Sequence, residues 1–154
     1  MKKTFKRVLL IFSLVLGGLL FSQTEKADAD TIEPLAWSTW QDAKSFGANC
    51  QVRVYTDLLN YYASSSTVDA MAEARNCTST MYYTMSIVDP DIAWGIIGSP
   101  QSGSFTTGTP LKSFNINGVK RQVTTVVQLD LFTNPGANFP TQSIHSSAFT
   151  IYPH

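Results

Sequence analysis

The residues able to do acid–base or nucleophilic work are few. Among 154 residues there are two histidines, His145 and the terminal His154. A serine nucleophile needs an imidazole within hydrogen-bond reach to take its proton. The serines beside His145 are Ser143 and Ser146, and they read as polar residues in the loop before the last strand. No Gly-x-Ser-x-Gly elbow occurs. Gly98-Ser99-Pro100-Gln101-Ser102-Gly103 has the wrong spacing and reads as a turn. A glycosidase needs two carboxylates facing each other across a cleft. Asp57, Asp69, Glu73, Asp89, Asp91 and Asp130 are available, but their spacing singles out no pair. Asp89 and Asp91 in one turn are no more than the beginning of a calcium site, and turn formation explains them better. There is no phosphate loop and no dinucleotide fingerprint. The sequence therefore leans away from an enzyme, assigns no catalytic residue, and implies neither a metal nor a cofactor.

Cys50 and Cys77 are the only cysteines. In an oxidising compartment an even pair closes as a disulfide. The bridge is expected to be structural, since no local motif supplies the base that a reactive thiol requires.

Aromatic side chains are the remaining candidates. Most must be core, because they bury the most surface per residue. Rings left outside beside Thr, Asn and Gln make platforms for a sugar or a protein partner. The candidates are Trp37 and Trp40, three residues apart; the Tyr61-Tyr62 pair before a serine loop; Tyr82, which must point away from Tyr83 in an extended strand; and Trp94. Trp94 lies in the uncharged run Ile92–Gly98, which reads as a buried central strand. Were that run exposed, it would be the one place for membrane contact.

The first 29 residues differ from the rest. Lys2, Lys3, Lys6 and Arg7 precede a 14-residue apolar run, Val8–Phe21, and Ala27-Asp28-Ala29 fits a signal-peptidase site. This is the pattern of a cleaved secretory signal. The run rises about 21 Å as a helix, short of the roughly 30 Å of a bilayer core. Five of the 11 basic residues precede Asp30, against two of the 11 acids, so residues 30–154 hold 6 basic and 9 acidic groups. A net charge of −3 with no basic block excludes nucleic acid as an electrostatic partner.

Elements that would hold these residues in place read as strands. Cys50–Thr56 alternates, as do Thr80–Val88 and Val119–Phe132. Leu111–Ile116 and Val119–Phe132 flank Asn117-Gly118, the usual signature of a tight hairpin. Ser147–Tyr152 makes a last strand. Ser66–Asn76 carries helix formers, yet Val68, Ala70, Ala72 and Ala74 alternate, which favours a strand. Trp37–Lys44 is expected to form a short helix after Pro34. The fold class is thus all-β: an antiparallel β-sandwich, Ig-like or jelly-roll-like, with a small β-barrel as the alternative. The chain divides into a signal (1–29), an N-terminal segment (30–45) and one β-rich domain (46–154). Its expected role is a secreted module outside the cell or at its surface, binding a protein or a glycan. A membrane-active toxin, a protease inhibitor presenting Ser99–Thr109 and a small hydrolase are the alternatives.

Overall fold

The computed structural model describes residues 36–154 except Pro90, Ala93 and Trp94. The signal segment and the candidate Trp94 lie outside the described residues. The strands are β1 (Ala36–Trp37), β2 (Gln41–Asp42), β3 (Gln51–Thr56), β4 (Asn60–Tyr61), β5 (Thr67–Arg75), β6 (Met81–Asp89), β7 (Gly95–Phe105), β8 (Lys112–Asn115), β9 (Val123–Phe132), β10 (Gln142–His145) and β11 (Phe149–Ile151). They form two sheets. In the first, β3 carries β1 and β2 on one side and β5 on the other, and β8 follows β5. In the second the order is β4-β11-β9-β6-β7, with β10 also on β9. Pairing is antiparallel throughout except for the short β11–β4 contact. This is an open sandwich and not a closed barrel.

Period-two alternation decides which side chains enter the core. Val52 and Val54 of β3 and Val68, Ala70 and Ala72 of β5 are buried from the first sheet. Met81, Tyr83, Met85 and Ile87 of β6 and Val123, Thr125, Val127, Leu129 and Leu131 of β9 are buried from the second. The segment with two readings, residues 66–76, is therefore a strand. Its alanines are small enough to line a buried face, and its register with β3 runs from Gln51↔Arg75 to Thr56↔Ala70.

Four local expectations are corrected. Asn117-Gly118 does not close a hairpin: β8 belongs to the first sheet and β9 to the second. The turn carries an Ile116–Val119 backbone bond of 3.1 Å, and neither central residue has the positive φ of a type I′ turn. Trp37–Lys44 is not a helix. It holds β1 and β2, and the only helical turn nearby is a 3-10 turn at Lys44–Phe46. Pairing with β3 satisfies the backbone that a helix would otherwise have satisfied. The Gly98–Gly103 stretch is strand, not turn, because β6 runs alongside it. Finally, Ile92–Gly98 is not a central strand: its residues Gly95–Gly98 open β7, which ends its sheet, and Ile92 and Ile96 are about half exposed.

Candidate functional site

Trp37 and Trp40 would lie on opposite faces of a regular strand, three residues apart. Here the register shifts. Trp37 pairs with Tyr55 and Gln41 with Val52, so Ser38, Thr39 and Trp40 face only Arg53 and Val54. One extra residue makes a bulge. Ser38 holds it, donating its N–H to the Val54 carbonyl (2.8 Å) and accepting the Val54 N–H at its Oγ (3.0 Å). The bulge brings both tryptophans to Arg53, which alternates outward between buried Val52 and Val54. The Arg53 guanidinium lies 4.1 Å from the Trp37 centroid and 4.6 Å from that of Trp40. Arg75, at the end of β5, lies 4.2 Å from the Trp40 centroid. Tyr55 packs on Trp37 at 5.1 Å. The result is a row, Tyr55–Trp37–Arg53–Trp40–Arg75, on the outside of the first sheet, whose three guanidinium–ring contacts are cation–π attractions of about 0.5–2 kcal/mol each.

Polar groups fix the row. Arg53 donates from Nη2 and Nε to Glu73 Oε2 at 2.7 and 3.1 Å. Arg75 donates from Nε and Nη2 to the Gln51 amide oxygen at 3.0 and 2.6 Å. Gln51 in turn donates to Asp42 at 3.1 Å, and Asp42 pairs with Lys44 at 3.2 Å. The Gln51 hydrogen bond, and then Lys44, hold the Asp42 carboxyl below its ordinary range. The Cys50–Cys77 disulfide closes just beyond the same end of β3 and β5. Asn76, with φ of 57°, turns the chain so that Cys77 reaches Cys50. Sequence reasoning singled out the two tryptophans but missed Arg53, Arg75 and Gln51. Their signal was their outward phase, Gln51 and Arg53 on β3 and Arg75 on β5, joined to a register that only pairing reveals.

The other aromatic candidates scatter. Tyr62 is 55% exposed and stacks on Tyr152, with centroids 4.8 Å apart and planes 13° from parallel. Tyr82 is half-buried on the outer face of the second sheet, opposite buried Tyr83. Tyr61 is fully buried and offers no ring to a ligand. Its hydroxyl donates to Asp57 (2.5 Å) and accepts the Leu58 N–H (3.1 Å), and burial pushes the phenol well above its usual range, with Asp57 adding to the shift. Phe139 is the most exposed large apolar side chain among the described residues, in the loop between β9 and β10.

Ser143, Ser146, His145 and the Asp89–Asp91 turn are engaged elsewhere. Ser143 Oγ donates to the Asp130 carboxylate, and His145 Nε2 lies 3.4 Å from the Gln128 amide oxygen. Ser146 Oγ accepts the Val127 N–H (2.9 Å) and donates to the Ser147 carbonyl (2.7 Å). Neither serine meets the imidazole. Asp89 and Asp91 are both clamped by Arg121 at 2.8 Å. No group of three or more metal-ligating side chains occurs among the described residues. A cleft of about 440 Å³ is lined by Ile92, Ile96, Ile97, Ile116, Val119 and Val123 together with Arg121. Arg121 on its wall already holds its two carboxylates. No helix among the described residues is long and apolar enough to cross a membrane.

Residues 34–152 match the family model of the YqgA MG2 macroglobulin domain. Over 117 residues the chain is 35% identical to the "Cell wall-binding protein YqgA" of Bacillus subtilis (strain 168), covering 74% of each chain. No solved structure matches. Of the two sandwich forms expected, the Ig-like one is the form of this domain. The match takes in every strand from β1 to β11, and the chain belongs to the YqgA MG2 macroglobulin domain family.

Proposed function

We propose that this protein is a secreted, non-enzymatic module that binds the cell wall. The observation that carries the reading is the 35% identity, over most of both chains, to a protein named for binding the cell wall. The basic, apolar and small-residue pattern of residues 1–29 supports export and cleavage, with residues 30–154 acting outside the cell. Catalytic groups that are tied up in structural hydrogen bonds fit a binding role better than a hydrolytic one.

The contact rings we assign are Tyr62 and Tyr82, with Trp37 and Trp40 contributing as parts of the tryptophan–arginine row, whose guanidiniums already cover their faces. Tyr62 suits a sugar best, since Tyr152 backs its ring while more than half of its surface stays in solvent. The partner is a glycan or protein of the wall, and the Cys50–Cys77 bridge stabilises the module that presents these rings.

The test is sedimentation of the chain from Asp30 onward with purified cell-wall sacculi. Saturable recovery in the pellet is expected, with the affinity lowered by Tyr62→Ala. A protein that stays in the supernatant at every sacculus concentration overturns the reading.

A further inference from the structure

We propose, building on the wall-binding reading, that the Arg75 guanidinium at the open end of the tryptophan–arginine row is an oxyanion site. It would receive a phosphate or carboxylate group repeated along a polymer. Three arginines occur among the described residues. Arg53 pairs with Glu73, and Arg121 with Asp89 and Asp91. Arg75 differs: its hydrogen bonds go to the neutral amide of Gln51, and its plane rests against Trp40. The nearby carboxylates are already matched, Glu73 by Arg53 and Asp42 by Lys44. Arg75 is thus an exposed positive charge without a carboxylate of its own.

Two further features suit this end to an anion. A guanidinium has five N–H donors in a planar fork, and Gln51 takes two of them. Three remain, enough for two-point recognition of an oxyanion. The side chain is also held in place beforehand, by Gln51 from one direction and Trp40 from another, so little freedom is lost on binding. The rings themselves are less available. Trp40 is engaged by both Arg53 and Arg75, and Trp37 by Arg53 and Tyr55. What the row presents at its end is therefore charge rather than a free aromatic face.

The probes are linear polyphosphate and, separately, poly-L-glutamate, titrated at low salt into the chain from Asp30 onward while tryptophan fluorescence is followed. A saturable change is expected with at least one of them, and it identifies whether phosphate or carboxylate is preferred. Arg75→Ala should weaken it at least tenfold. Arg75→Lys, which keeps the charge and loses the fork, should fall between. Circular dichroism checks the fold of each variant, and Arg75→Gln replaces the alanine variant if that one is unfolded. No saturable change with either probe, or equal affinity in wild type and the uncharged variants, overturns the site. Sacculus binding that ignores Arg75→Ala overturns it too, while leaving the wall-binding reading intact. Arg75-dependent capture of a polyanion by a protein that ignores sacculi supports the site and overturns the wall-binding reading.

Discussion

Tyr61 shows how a residue picked for its ring ends up working through its hydroxyl. Its ring packs edge-on against Phe149 at 5.3 Å, and its O–H ties Asp57 and the Leu58 backbone together. Burial keeps the phenol neutral in the folded state far above pH 10, whereas an unfolded chain ionises it near 10. Above that value the folded state therefore binds more protons than the unfolded one, and stability falls as pH rises, by up to about 1.4 kcal/mol per pH unit for one group. Below pH 10 the contribution is fully present. Urea unfolding at pH 9, 10 and 11 should show this decline, and Tyr61→Phe should flatten it. The same variant should lose about 1–3 kcal/mol at neutral pH, because the Leu58 N–H loses its acceptor and the Asp57 carboxylate keeps only the Asp69 N–H of its two donors. Nothing in the Tyr61-Tyr62 dipeptide says which ring goes inward. The decision comes from β4 pairing with β11, which places Tyr61 toward the core and Tyr62 outside it.

Strands that alternate cleanly could be read in advance. In β3, β5, β6 and β9 one face is apolar, and a shift of one residue would send the whole buried set into water. Strands whose position depends on a partner far along the chain could not. The Trp37–Trp40 bulge exists because Ser38 bonds twice to Val54, sixteen residues away, and no local pattern encodes that contact. Asn117-Gly118 misled for the same reason: alternation on both sides of a turn looks identical whether the two strands pair or part to different sheets. The disulfide is the element-scale feature most legible beforehand, since only two cysteines were available. It closes a loop of about 28 residues at the ends of β3 and β5. Restricting that loop in the unfolded chain contributes about 3–4 kcal/mol on the chain-entropy estimate. Cys50→Ser with Cys77→Ser should lower the unfolding free energy by that amount in urea titrations. It should also loosen Arg75, two residues from Cys77, so that polyanion affinity falls with stability.

At the scale of the molecule, the sandwich followed from composition and alternation, while the proposed contact surface did not, because it depends on which outer faces two sheets leave uncovered. One of those boundaries has a consequence for how the protein behaves at high concentration. Among the described residues β7 ends its sheet, and its outward backbone has no ladder partner. A long unpaired edge of this kind is a template on which identical chains can polymerise. In β7 the template is interrupted. Gly98, Ser99 and Pro100 face only Ser86 between the Met85↔Gln101 and Ile87↔Ile97 pairs. Pro100 has no N–H to offer, and Gly98, at φ of +74°, sits so close to β8 that an added Cβ would lie 2.8 Å from the Asn115 carbonyl. Deleting Ser99 and Pro100 would make the pairing regular along the whole strand. Light scattering and seeded thioflavin fluorescence should then report concentration-dependent fibril growth that the natural chain does not show. Fibril growth in that variant would make the register shift in β7 a colloidal safeguard, a break in the edge that keeps concentrated copies from knitting into one another.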